Sequence, residues 1–488
     1  MTVETLPKRA LREDDLQHAH PVHVVWEITL ACNLKCAHCG SRAGKRRPSE
    51  LTTEECFDVV DQLAALGTRE ITIIGGEAYL RRDWTDIIAR ITSHGMLASM
   101  QTGGRALTEE RVRAAKDAGL GTCGVSVDGL EELHDEIRGV KGSFRSAMNA
   151  LELLRKYDIP SGCNTQIHSR TMPQMRSILH EIASRGARGW QIQLTVAMGN
   201  AVDNDSLLLQ PYELLQLMPL LAKLYDEAKK LGVAMQPGNN IGYFGPYEHK
   251  WRLGNNEKHW SGCGAGHAVM GIEADGVIKG CPSLPTVGFS GGNVRDLTIE
   301  DIWRFSKEIR FSRDRQIHEL WGRCRSCYYA DVCRGGCTWT STVLFGRPGN
   351  NPYCHYRASQ LAKEGLRERI VKTQEAPGTP FDQGRFDLIT EPLDGGEGER
   401  SVAVPPHWEM KEPEQRDEDR VPPTLDLCMG CMQYIHPGSD TCAHCGVDLA
   451  AAAQARWEVE EAIAFLRREL SAAASAQQTS SATHPARA

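Results

Sequence analysis

The chain has 488 residues, 24% of them charged, and a formal net charge of −7, which makes it too long for one ordinary core and too apolar-rich for a disordered scaffold. The acidic balance excludes a surface built to neutralise a nucleic-acid backbone, and no long apolar run or secretory signal is readable, so neither nucleic acid nor membrane is an expected partner and the expected location is cytoplasmic. In a reducing cytosol, 17 cysteines in clustered spacings are better explained as metal ligands than as disulfides.

From residue 20 to 240, short β-branched runs alternate with helix-like segments, the pattern of repeated βα units on a parallel sheet. Strands are predicted at 23–30, 70–74, 97–101, 122–127, 162–167 and 190–196. Thr52 and Glu55 form a capping box ahead of the first helix, and Gly67 stands where its C-cap belongs. The α/β chain is thus expected to fold as a partial (β/α)6 TIM-like barrel, because no seventh or eighth repeat is visible after the apolar helix at 211–231. Chemistry in such a barrel belongs at the C-terminal ends of the strands. Residues 255–360 lose this periodicity and gain cysteine, glycine and aromatic residues, so they are expected to fold around ligands. Residues 370–425, rich in Pro, Gly, Glu and Asp, read as a flexible linker. A four-cysteine ribbon at 426–447 precedes an amphipathic helix at 448–474, where Val459, Ile463, Leu466 and Leu470 share one face, and then a disordered tail at 475–488.

Cys32, Cys36 and Cys39 follow the first strand as CxxxCxxC. Such a loop can hold three corners of a cubane iron-sulfur cluster and leave the fourth iron open to an exogenous ligand. The alternative, a zinc site completed by His38, makes a poor tetrahedron in so short a loop. Gly75-Gly76-Glu77 stands at the end of the second strand, Gln101 to Gly104 after the third, Ser126 to Gly129 after the fourth and Gly199-Asn200-Ala201 after the sixth. This arrangement resembles the radical S-adenosylmethionine (SAM) superfamily. The resemblance implies that SAM chelates the open iron and is cleaved reductively to a 5′-deoxyadenosyl radical. It further implies that Gly75, Gly76 and Glu77 meet the methionyl ammonium, Ser126 the ribose, Arg138 the methionyl carboxylate and the Gly199 turn the adenine. Plain turn chemistry for Ser126 and an ion pair for Arg138 stay open as alternatives. No catalytic base is identified.

Cys263 and Cys281 flank Gly276, and Cys324, Cys327, Cys333 and Cys337 are followed by Cys354. These spacings are similar to the SPASM extension, which implies two auxiliary [4Fe-4S] clusters. Cys324, Cys327, Cys333 and Cys354 make one full ligand set, and Cys263, Cys281 and Cys337 make an incomplete one, with His259, His267, a carboxylate or an open iron at the fourth position. A pair of structural zinc sites is the competing reading. Cys428, Cys431, Cys442 and Cys445 suit a tetrahedral ion, expected to be zinc, with rubredoxin-like iron as the alternative. Cys56, Cys123 and Cys163 fall in helix or strand patterns and are expected to be packing residues.

The resemblance implies a maturase that abstracts hydrogen from a ribosomal precursor peptide to install a crosslink, an epimerisation or a related change, served by a flavodoxin- or ferredoxin-type electron donor. A separate leader-binding protein is a possible partner, since the first 20 residues hold no obvious leader-binding domain. The family also implies alternatives: action on a sulfatase or on a tetrapyrrole or other cofactor precursor. From another class, a non-catalytic iron-sulfur and zinc scaffold or electron carrier remains open.

Overall fold

The computed structural model describes residues 8–252, 259–396, 399–400, 409–410 and 423–481. Strands β1 (His23–Glu27), β2 (Glu70–Ile74), β3 (Leu97–Thr102), β4 (Thr122–Ser126), β5 (Ser161–Ile167) and β6 (Gly189–Leu194) pair in parallel in that order. A short seventh strand that the periodicity does not show, β7 (Ala234–Pro237), extends the sheet beyond β6. It has four residues, two of them exposed, so it lacks the apolar run that marks its neighbours. Helices between the strands cover one face. Val24, Trp26, Ile71, Ile73, Val125, Trp190 and Ile192 bury there, whereas the alternate residues point inward. That interior is polar: Thr72 bonds His23 and Ser99, Ser99 bonds Glu70, and Asn164 donates to Gln101. Arg9 closes the end at which the strands begin by pairing with Glu70 at 2.5 Å. The expected capping box is formed: the Thr52 hydroxyl accepts from the Glu55 amide, Glu55 accepts from the Thr52 amide, and Gly67 takes a positive φ after the helix.

On the other edge, β8 (Val269–Ile272) joins β1 in parallel, and β9 (Val277–Lys279) and β10 (Ser290–Asn293) continue antiparallel, so the cysteine-rich segment is grafted onto the barrel sheet itself. A buried charge network seals that seam. Arg47 pairs with Glu27 at the end of β1 and with Glu273, both at 3.0 Å, and Lys279 pairs with Glu273 at 2.7 Å. Burial pushes Glu27 up to about 7, even against the Arg47 guanidinium beside it.

Two expectations need correction. The supposed linker begins with a hairpin, β11 (Leu366–Gln374) and β12 (Arg385–Pro392), which Glu399–Arg400 extends. Ile370, Phe386 and Leu388 join the barrel core, and Arg357 grips Glu368 through two 2.7 Å bonds. Its Pro, Gly and charged residues disguise a strand pair because the buried carboxylates are paired rather than solvated. Residues 397–398, 401–408 and 411–422 of that stretch lie outside the described residues. The supposed tail is also partly ordered: the last helix runs over Leu449–Ser481, carried by alanine-rich sequence of high helix propensity. Val459 and Ile463 on it are exposed, the side chains of Leu466 and Leu470 lie outside the described ones, and so do residues 482–488.

Candidate active site and its cysteine clusters

The Cys32–Cys39 loop leaves the carboxyl end of β1 and is held by neighbours from across the barrel. Gly76 and Glu77 donate backbone bonds to Thr29 and Ala31 carbonyls at 2.9 and 2.8 Å. A Cβ on Gly76 would collide with the Ala31 carbonyl oxygen and with Cys32 Cβ, and one on Gly75 with the Thr29 oxygen, so both glycines are required by close approach to the cluster loop. Asn200 holds the other side. Its amide donates to the Cys39 carbonyl at 3.0 Å and its Nδ2 to the Cys36 carbonyl at 2.9 Å. Gly199 (φ +58°) cannot carry a side chain, because a Cβ would strike the Cys39 and Gly40 carbonyls.

Backbone amides of Leu34 and Ala43 point at the Cys32 and Cys39 sulfurs, each at 3.4 Å, and Arg138 Nη1 lies 3.6 Å from Cys36 Sγ. Burial pushes the Cys32 thiol up to about 12 and that of Cys36 up to about 11 in spite of Arg138, so thiolates here need a cationic metal core to compensate them. The three sulfurs do not all lie within 4.8 Å of one another, unlike the ribbon thiols, and His38 is bonded to Asp128 at 2.8 Å. A tetrahedral ion completed by His38 is therefore not assembled here.

Glu77 is buried. Its carboxylate accepts from the Thr102 hydroxyl and, at 2.7 Å, from the Gly103 amide, which explains the Gln101 to Gly104 turn as a clamp on Glu77. Burial raises this carboxyl against those donors. Ser126 ends β4 half-buried, opposite Asn164. Arg138 is committed to Asp128 at 2.5 Å and to Cys36, with its Nε buried and unpartnered. Arg138 and His38 hold Asp128 far below the usual carboxylate range although burial alone would raise it.

Three residues escape sequence reasoning. Arg42, in a left-handed conformation just past the loop, donates to Asp382 at 2.8 Å and to the Gly199 carbonyl at 3.0 Å. Asp382 lies in the turn between β11 and β12, and its carbonyl accepts from the Gly199 amide at 3.0 Å. Beside it, Phe381 packs with Val196, Met198 and Val343. No spacing signals partners 340 residues apart.

Cys324, Cys327, Cys333 and Cys354 line one cavity of about 210 Å³ together with Tyr243, Phe244, Tyr329 and Tyr356. Four thiols around so large a space suit a four-iron core. Cys263 and Cys337 lie side by side with Cys281 near them. His259 is occupied at both ring nitrogens, one facing the Trp260 carbonyl at 3.0 Å and the other accepting from the Leu425 amide at 2.9 Å, so it is not placed as their fourth ligand. His267 is half-buried. In the ribbon, Cys428 and Cys445 Sγ are 3.9 Å apart and Cys431 and Cys442 Sγ 3.7 Å. A tetrahedral ion with metal–sulfur bonds of about 2.3 Å needs edges of about 3.8 Å. Cys56, Cys123 and Cys163 are buried among apolar side chains.

A parallel partial barrel with a three-cysteine loop at the carboxyl end of its first strand defines a cluster-bearing βα-barrel enzyme. The comparisons make this particular. The Radical SAM superfamily model matches residues 26–171, and that of the iron-sulfur cluster-binding SPASM domain matches 263–328, ending ahead of Cys333, Cys337 and Cys354. Mycofactocin maturase MftC of Mycolicibacterium smegmatis is 30% identical over 383 residues, 76% of this chain and 92% of that protein. AdoMet-dependent heme synthase of Methanosarcina barkeri is 29% identical over 348 residues, 69% of this chain and 97% of that protein. The solved structure of anSMEcpe with bound AdoMet and Cp18Cys peptide has a TM-score of 0.54 at 18% identity, covering 69% of this chain and 94% of that one. Streptococcus suis SuiB bound to S-adenosylmethionine gives 0.53 at 14%, covering 69% and 76%. The chain belongs to the radical SAM superfamily and is an enzyme with a SPASM domain, a class that uses SAM and iron-sulfur clusters.

Proposed function

We propose that this enzyme is a maturase that modifies a ribosomally made peptide. The observation that carries the reading is the 30% identity to mycofactocin maturase MftC across 92% of that protein. In this reading Cys32, Cys36 and Cys39 hold a [4Fe-4S] cluster, which when bound supplies the electron that cleaves SAM. Gly75, Gly76 and Glu77 receive the methionyl group, Ser126 the ribose, and the unpartnered Arg138 Nε is the atom left for the methionyl carboxylate. Arg42, Asn200 and Asp382 fix the loop so that the sulfurs stay in place. Cys324, Cys327, Cys333 and Cys354 hold one auxiliary cluster, Cys263, Cys281 and Cys337 a second, and the ribbon one zinc ion. The partners are a precursor peptide and a small electron-transfer protein. A cytoplasmic location goes with this reading, and no described helix is long and apolar enough to cross a membrane.

A second reading, action on a tetrapyrrole, is favoured by the 29% identity to AdoMet-dependent heme synthase over 97% of that protein. Anaerobically reconstituted enzyme separates the two when it is given SAM, reductant and either a short peptide encoded beside its gene or an iron porphyrin precursor. A mass change in the peptide is expected, with 5′-deoxyadenosine formed alongside. Replacing Cys32, Cys36 and Cys39 with Ala is expected to abolish both. Conversion of the porphyrin alone overturns the peptide reading, and no 5′-deoxyadenosine from wild type overturns the catalytic one.

A further inference from the structure

The ribbon does not hang free. Tyr328, Tyr329 and Tyr356 line the four-cysteine cavity, and ribbon side chains pack against these three tyrosines without lining the cavity themselves. The His444 ring lies 4.9 Å from Tyr328, 5.7 Å from Tyr329 and 5.6 Å from Tyr356. His436 stands edge-on to Tyr328 at 4.8 Å and donates its amide to that hydroxyl at 3.0 Å. The buried Tyr329 hydroxyl donates to the Tyr434 carbonyl at 2.6 Å and lies 2.8 Å from His444 Nε2. Leu425 and Tyr434 are buried in the same apolar cluster as Phe244, Tyr329 and Val332.

Two residues join the sulfur sets. The Tyr329 amide points at Cys327 Sγ at 3.5 Å, and the His444 amide at Cys442 Sγ at 3.4 Å. Their side chains meet each other. The ribbon's own core is only Cys428, Ile435 and Cys442, with Cys431, Val447 and Leu449 packed against it, and its strands Asp426–Leu427 and Tyr434–Ile435 are two residues each. A unit so small keeps its shape through its ion, so the metal fixes where His444 presses on the tyrosines.

We propose that the ribbon, folded by one zinc ion, is the outer wall of the Cys324, Cys327, Cys333 and Cys354 site and shields the iron-sulfur cluster held there from solvent and oxygen. This rests on the reading that those four cysteines hold a cluster. Neither cysteine set alone implies the relation, which comes from the tyrosine and histidine contacts between them.

The test uses the full chain with Cys32, Cys36 and Cys39 replaced by Ala, so that only auxiliary clusters remain, purified anaerobically and assayed for zinc, iron and the rate at which visible absorbance bleaches in air. Cys442→Ser is expected to remove the zinc, keep the iron while oxygen is absent, and speed one bleaching phase about tenfold, because local opening sets access to the cluster. His444→Ala is expected to keep the zinc and speed the same phase by a smaller factor. Bleaching at the parent rate in both variants overturns the proposal, and so does iron in place of zinc in the parent ribbon. A separate control, Cys327→Ala, reports on the underlying reading: iron unchanged by it would mean that the cavity holds no cluster.

Discussion

In the barrel, Val24, Ile73, Val125 and Ile192 are wholly buried on strands whose parallel pairing runs unbroken from β1 to β7. In segment 259–354 the sheet contribution shrinks to three short strands, and four of its seven cysteines surround a cavity while the other three, Cys263, Cys281 and Cys337, lie near one another. The first region owes its shape to apolar area and register; the second shares part of that core and, on the function proposed above, adds what its thiols would bind. The contrast teaches that metal and fold should separate experimentally. Stripping metal with a chelator under reducing conditions is expected to remove hydrogen-exchange protection from 423–447 and from the cysteine-bearing loops while β1 to β6 stay protected. The effect should be large, since a structural zinc supplies on the order of 10–16 kcal/mol. Uniform loss of protection across the chain would erase the distinction.

The seams between the regions offer finer tests. Arg357 forks onto Glu368 with both partners buried and also donates to Asn350 at 2.6 Å, tying the helix that follows Cys354 to β11. Arg357→Met leaves an unpaired buried carboxylate and is expected to cost about 3–5 kcal/mol, read as a lowered denaturation midpoint. The double change Arg357→Met with Glu368→Leu should recover most of it. If single and double variants unfold alike, the pair does not hold the seam.

At the other seam the sign follows from the raised Glu27. Its carboxyl sits at about 7 folded against 4.5 unfolded, so the stability it contributes is complete below about pH 4.5 and is lost as pH rises through about 7. Glu27→Gln stays neutral throughout. Wild type is therefore expected to lose roughly 2–3 kcal/mol relative to the variant between about pH 5 and 8, measured by denaturant unfolding. A flat difference across that range would show that Arg47 keeps the carboxylate charged.

Much of this was legible in the residues. Alternation and capping placed six of the seven barrel strands, and CxxxCxxC at a strand end pointed to the cluster loop, because both signals are local. Glu77 shows the limit of that logic: its type and position were readable, but its bonds to Thr102 and Gly103 depend on a neighbouring strand. The β11–β12 hairpin was missed for a different reason. Glu368 and Glu391 are buried against arginines, so the strands alternate in burial without alternating in polarity. The tyrosines and histidines that link the ribbon to the cavity had no signature at all, since ordinary aromatic residues acquire that role only through docking.

The turn carrying Phe381 and Asp382 also sets an order of events during synthesis. The cysteine loop leaves the ribosome well before the carboxylate that Arg42 pairs with, some 340 positions later. A nascent chain thus has its sulfurs long before it has the wall that braces them. Cluster delivery before that point would meet a loop held by the barrel but lacking its Asp382 brace, so loading should favour a chain made past residue 392, and termination before that residue should yield a barrel that binds iron less well.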